Sequence, residues 1–314
     1  LVPLDTTTLA DSGISFFNIS YLGTKGVFVA LLAGLIVSRL LALITEKNIV
    51  IKLPDSVPEM VSESLSSLLA GVIIAIVFLI FRALFAVTPY GNATDCIYTI
   101  IQTPLQSLTG NLPAFIIIIL IAQLLWFFGI HGSMTVLPIL FPIWLSYIGD
   151  NTAAMAAGKT IPHVLNIGLW DLANLGGSGA TIGLVILMFF KAKSNQYKSF
   201  GKLTLPCGIF SVNEPVIFGL PVILNPIMLI PFIICPIVLV CLGYALIQFG
   251  IVTAPIGILG LGSMPPLISG IMQGSLSWGI YQLVAVVISI IIYYPFFKTI
   301  DNQALAKEKG EQGE

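Results

Sequence analysis

The chain has 314 residues, of which 57% are hydrophobic and 9% charged, with a mean hydropathy of +1.04, whereas soluble domains average about 25% charged residues. A net charge of −1 gives no general attraction to nucleic acid, and the few charges gather in loops. These values exclude a soluble domain and a nucleic-acid partner, and they predict a polytopic membrane protein in contact with lipid.

A spanning helix needs about 20 apolar residues to cross roughly 30 Å of hydrocarbon. Residues 26–44, 68–87, 112–130 and 276–297 meet that requirement. Residues 134–148, 176–190, 206–236, 237–249 and 251–272 are also apolar, but they are short or interrupted by Gly and Pro. That pattern is expected of re-entrant hairpins or discontinuous helices buried in protein. The fold class is therefore an all-α polytopic membrane protein.

Charge marks the connections. Residues 45–64 carry Lys47, Lys52, Asp55, Glu59 and Glu63, while Val57, Met60, Val61 and Leu65 recur at helical spacing, which predicts an interfacial amphipathic helix. Residues 88–111 hold Asp95 and no Lys or Arg, which suits the outer face. Lys191, Lys193, Lys198 and Lys202 lie in a stretch without acids that is assigned to the cytoplasm. Residues 1–298 read as one membrane domain and residues 299–314 as a polar cytoplasmic tail. The chain opens at Leu1 with neither an initiator Met nor a basic, apolar leader, so no signal peptide is expected and part of a longer chain is.

Glu214 is the only charged residue between Lys202 and Lys298. A carboxylate at membrane depth costs roughly 2.5 to 3.5 kcal/mol on the insertion scale, so it persists where it meets a cavity, a partner or a substrate. Ionised, it is an acceptor for sugar hydroxyls and a general base within hydrogen-bond reach. The competing reading is a protonated structural Glu bonded to a neighbouring helix. Asn213 adds an amide, and Pro215 disfavours helical geometry at Glu214.

His131, between Gly129 and Gly132 within Phe127-Phe128-Gly129-Ile130-His131-Gly132-Ser133, can donate to a sugar oxygen or relay a proton, or can be a satisfied core histidine. Trp126 offers a stacking face for a pyranose, or packing. His131 precedes Pro138 by seven residues, as Glu214 precedes Pro221, which is either coincidence or the mark of paired broken hairpins. A second polar cluster contains Asp171, Gly177 and Ser178 and can line a cavity. Its Gly-Gly-Ser-Gly run lacks the Gly-Lys-Ser/Thr ending of a nucleotide loop, so its glycines serve close approach to a ligand or to a neighbouring helix. Cys96, Cys207, Cys235 and Cys241 have no CxxC spacing, and neither a disulfide, a metal site nor a cofactor is expected. No HExxH, GxSxG or paired-carboxylate template lies in the apolar core.

At Ser211-Val212-Asn213-Glu214-Pro215-Val216-Ile217-Phe218-Gly219-Leu220-Pro221, at Phe127 to Ser133 and at Gly176-Gly177-Ser178-Gly179-Ala180-Thr181, the chain resembles the sugar permease component, enzyme IIC, of the bacterial phosphoenolpyruvate-dependent phosphotransferase system. The resemblance is to the lactose/cellobiose/diacetylchitobiose branch and runs over essentially the whole chain. It implies a homodimer in the bacterial cytoplasmic (inner) membrane with two re-entrant hairpins. It also implies a β-linked disaccharide of the cellobiose or diacetylchitobiose type, carried inward and phosphorylated on its 6-hydroxyl by a phosphocysteine of a IIB protein, itself charged by a IIA protein. By that resemblance Glu214 contacts and activates the hydroxyl, and His131 stands beside it. Family members are longer, so N-terminal helices are expected to be missing from this permease domain. The rival reading is an ion-coupled symporter releasing unmodified sugar, with Glu214, Asp171 or a histidine as coupling site.

Overall fold

A computed structural model describes residues 4–5, 16–17, 26–50, 59–102, 110–220 and 222–311, and the chain divides into two compact units, residues 1–106 and 107–314. Both are helical.

In the first unit, Leu4–Asp5 (β1) pairs antiparallel with Phe16–Phe17 (β2). Two helices follow, α1 (Val27–Glu46) and α2 (Glu59–Ala86), each with a stretch long and apolar enough to cross a membrane. Met60 and Leu65, assigned by periodicity to a separate interfacial helix, belong to the first turns of α2 itself. Lys52, Asp55 and Val57 of that expected helix lie outside the described residues. A short α3 (Ala93–Ile97) starts at Asn92, whose Oδ1 accepts from Asp95 N at 2.8 Å while its Nδ2 donates to Asp95 Oδ2 at 2.8 Å. This reciprocal cap satisfies donors that a helix start leaves unpaired.

The second unit holds the remaining helices: α4 (Leu112–Phe127), α5 (Gly132–Ala156), α6 (Ile167–Ala173), α7 (Ile182–Lys191), α8 (Asn195–Ile209), α9 (Glu214–Gly219), α10 (Pro226–Gln248), α11 (Ile268–Met272) and α12 (Leu276–Glu311). Asn111 and Asn225 start α4 and α10 by accepting first-turn N–H groups, with proline in each first turn. Proline there loses nothing, because those N–H groups have no intrahelical partner.

Prolines deeper in the sequence mislead. Residues 134–148, expected to be broken, lie within the unbroken 25-residue α5 despite Pro138 and Pro142. The expected break between residues 236 and 237 is absent as well, since the 23-residue α10 runs through Pro231 and Pro236. At 1.5 Å per residue both exceed about 30 Å, enough to cross. Each proline deletes one helical bond, a loss that helices packed among other helices tolerate; Pro231 and Pro236 are buried in this bundle, where α10 packs on α4, α6 and α12. Conversely, α4 stops after 16 residues, short of the expected 130, where Gly129 takes a φ of +81°.

Among the described residues five helices are long and apolar enough to span a membrane. Helices α6, α9 and α11, of seven, six and five residues, are too short to do so. Helices α9 and α11 lie in the broken stretches 206–236 and 251–272, whereas α6 lies outside every stretch expected to be broken.

Two polar ties hold the ends of the second unit. At one, buried Asn151 and Asn166 both donate to His163 O, and also to Ile256 O and Pro255 O respectively. Gln273, also buried, accepts from Gly257 N and Ile258 N. Each amide satisfies loop carbonyls or N–H groups that lie outside any helix ladder. At the other end α12, 36 residues long, continues past the apolar stretch as helix through Glu311. The polar tail read from residue 299 is, up to that point, the last turns of α12, and Asp301 anchors it by accepting from Lys193 N, Ser194 N and Ser194 Oγ.

Candidate functional site

Six segments, one of them the turn at Gly262 and Ser263, converge on a cavity of about 270 Å³. The end of α4 brings Trp126, the start of α5 brings His131 and Ser133, and α6 brings Trp170 and Asp171. The turn after α6 adds Asn174, Gly177 and Ser178, and the start of α9 adds Asn213 and Glu214. Every sequence-nominated residue (Glu214, His131, Asn213, Trp126, Asp171, Gly177 and Ser178) therefore lines one space.

His131 is the N-cap of α5, its Nδ1 accepting from Met134 N at 3.1 Å. That bond places the remaining proton of a neutral ring on Nε2. Nε2 lies 3.8 Å from Glu214 Oε1, with the two side chains 37% and 48% exposed. Glu214 is the first residue of α9 and Pro215 sits in its first turn, so Glu214 is helical where its Pro neighbour led us to expect an extended residue. The physical reason is the position: a helix's first turn needs no N–H from Pro215. The echo between the two segments does not extend to their structure, since His131 opens a 25-residue helix and Glu214 a six-residue one.

Trp126 is 2% exposed and covered by its neighbours. The His131 ring lies 4.1 Å from it and Phe218 meets it edge-on at 6.3 Å. It thus supports His131 from behind, and its buried Nε1–H has no partner among the described residues.

Asn213 is buried and its Nδ2 donates twice, to Ser178 O at 2.7 Å and Thr181 Oγ1 at 3.0 Å. Both amide hydrogens are engaged, so this amide fixes the α6–α7 turn against the residue preceding Glu214. Gly177 makes that approach possible. Its φ is +99°, and a Cβ there would fall 2.1 Å from Asn213 Cγ. A Cβ on Gly179 would meet the Phe232 ring at 2.2 Å. The glycine run thus serves protein-to-protein approach at both positions. Its carbonyls are held from α12, where Tyr293 OH donates to Gly179 O at 2.8 Å and Ser289 Oγ to Ala180 O at 2.7 Å. Ser178 Oγ meets Ser133 Oγ at 3.0 Å, which closes the wall between the turn and α5.

Asp171 is 9% exposed, and its Oδ2 is buried with no hydrogen-bond partner among the described residues. Opposite it stands Gly262, where a Cβ would fall 2.4 Å from Asp171 Oδ1. Sequence reasoning missed Gly262 and Ser263, which form a 3₁₀ turn (Leu261–Ser263) on the cavity wall. Their only signal was a glycine-rich run, Gly260-Leu261-Gly262-Ser263, in apolar sequence. Chemically, the cavity joins an accessible carboxylate, an N–H donor beside it and a second, unpartnered carboxyl oxygen.

The model of the family described as Phosphotransferase system, EIIC matches residues 2–236. The chain belongs to this EIIC family. It is 38% identical to the lichenan permease IIC component of Bacillus subtilis over 92% of its own length and 65% of the relative's. With the cellobiose-specific EIIC component of Geobacillus stearothermophilus it shares 37% identity over 97% of this chain and 68% of the other. The chain thus spans about two-thirds of the length of these relatives. Among solved structures it resembles the transporter ChbC, the IIC component of the N,N'-diacetylchitobiose-specific phosphotransferase system, with a TM-score of 0.89 and 35% identity, covering 98% of this chain and 73% of that one. As an EIIC chain with five helices long enough to span, it is a multi-pass membrane protein.

Proposed function

We propose that this EIIC chain takes up a β-linked disaccharide of the cellobiose or diacetylchitobiose type and presents its 6-hydroxyl for phosphorylation by a IIB protein. The observation that carries the reading is the 3.8 Å approach of His131 Nε2 to Glu214 Oε1 on the wall of a polar cavity. The names of its relatives, for lichenan, cellobiose and diacetylchitobiose, share β-linked glucose-type chemistry.

In this reading the sugar's 6-hydroxyl lies between the two side chains. As its oxygen bonds to phosphorus, the S–P bond of the donor's phosphocysteine breaks, the thiolate leaves with the electron pair, and the hydroxyl proton passes to Glu214. His131 donates from Nε2–H to a sugar oxygen, and the Asp171 carboxyl, on the same cavity wall, bonds a hydroxyl further along the ring. Asn213, Gly177 and Ser178 hold the wall, while Trp126 backs His131. The short helices around the cavity are two re-entrant hairpins, and the protein works as a homodimer in the cytoplasmic membrane, with a IIA protein charging IIB.

Calorimetric titration of the purified protein tests the substrate class. Cellobiose or diacetylchitobiose is expected to bind at least tenfold more tightly than the α-linked maltose. Equal affinity for maltose contradicts the assignment.

A further inference from the structure

Between Asp171 and Glu214 the sequence contains four lysines and no acid. In the structure Lys191, Lys193, Lys198 and Lys202 are all exposed, and none forms an ion pair among the described residues. Carboxylates are close at hand, yet they are engaged elsewhere. Asp301 accepts from the backbone N–H of Lys193 and Ser194. Glu308 accepts from Asn195 N at 3.0 Å and Gln196 N at 2.9 Å. Both acids therefore face the positive end of α8, where carboxylates are most favourable, and they leave the ammonium groups unpaired. The α12 extension also fixes this end of α8 in place.

The other face of α8 is tightly packed. Tyr197, Gly201, Thr204 and Gly208 are buried, and a Cβ on Gly201 would fall 2.6 Å from the Met188 carbonyl carbon. A second face is open and graded. Lys198, Lys202, Pro206 and Ile209 follow one another along it at helical spacing, and exposed Phe210 and Val212 come in the turn between the helix and Glu214. Over its 15 residues α8 is about 22 Å long. Unpaired positive charge is thus followed along the chain by exposed apolar side chains up to the turn that carries the candidate catalytic carboxylate.

We infer that this open face of α8, with the α7–α8 connection, is the docking surface for the phosphoryl-donor protein. The inference rests on the proposed function above, in which a donor must bring a doubly charged phosphoryl group to Glu214. Charge complementarity selects the occupant: unpaired lysines steer and hold an anionic, phosphorylated partner, and the exposed apolar side chains give it a surface to bury on the way to the cavity. The competing occupant is an anionic lipid headgroup, which lysines at a cytoplasmic membrane boundary also attract.

The test uses the full chain reconstituted in neutral phosphatidylcholine vesicles, with a phosphorylated IIB protein of the cellobiose type as probe, and compares wild type with the double variant Lys198→Glu/Lys202→Glu. The expected result is an apparent KM for the phosphorylated IIB at least tenfold higher in the variant. Its kcat and its Kd for cellobiose remain within twofold of wild type, and its KM depends less steeply on salt. An unchanged KM overturns the inference, as does a KM effect that appears only when anionic lipid is present. A parallel loss of sugar affinity also overturns it, by showing that the variant disturbs the site itself. Lys198→Gln/Lys202→Gln provides a milder pair, expected to raise KM about threefold, should charge reversal prevent insertion. Failure of the wild-type chain to form any sugar phosphate refutes instead the function on which the inference rests.

Discussion

Replacing Glu214 by Gln separates the two tasks assigned to that residue. The amide keeps the size of the carboxyl and loses its charge and its basicity. Glu214 and His131 are 3.8 Å apart with side chains 48% and 37% exposed, and so wet a pair contributes only about 0.2–1 kcal/mol. A sugar hydroxyl loses roughly half the strength of its hydrogen bond when the acceptor is neutral. The Glu214–His131 pair is already present in the free protein, so only the hydroxyl bond counts toward binding, at about 0.8–1.5 kcal/mol, and the Kd for cellobiose should rise no more than about tenfold. Loss of a general base lowers the rate of proton transfer by about 10²–10⁴-fold. Titration calorimetry reads the first quantity, and the initial rate of labelled sugar phosphate formation with saturating phosphorylated IIB reads the second. A rate that falls only in step with the Kd would refute Glu214 as the base.

Two further substitutions probe the scaffold. Gly177→Ala forces a φ of +99° on an L-residue and sets a Cβ 2.1 Å from Asn213 Cγ, so it should lose at least about 2 kcal/mol. Gly158→Ala, with φ +65° and open space around it, should lose only about 1 kcal/mol for its backbone. Equal melting temperatures for the two would refute the packing role of Gly177. Asp301→Ala strands two backbone N–H groups and the Ser194 hydroxyl, at about 3 kcal/mol, and an unaltered melt would show that the α12 extension is not an anchor.

Much of this was legible in the sequence because the signals are local. An isolated acid in apolar sequence marks itself, and Glu214 and His131, 83 positions apart by their numbers, were each found by chemistry that does not belong in lipid. The apolar runs at residues 26–44, 68–87 and 276–297 were long enough to declare spans, and helices cover them. What stayed hidden depends on partners remote in sequence. Pro138 and Pro236 looked like breaks because a proline's local effect is disruptive, while the packing that tolerates it comes from other helices. Asp301 and Glu308 looked like solvated tail charges, since nothing local says that α8 presents its N-terminus to them. The Gly262 turn reaches the cavity only through contact with Asp171, about 90 residues upstream.

The chemical form of the sugar inside vesicles tests the central claim most directly. With phosphorylated IIB supplied on the cytoplasmic side, labelled cellobiose should arrive as cellobiose 6-phosphate, at a rate that a protonophore leaves unchanged. Accumulation of unmodified cellobiose that collapses when the protonophore is added would contradict group transfer and establish ion-coupled symport in its place.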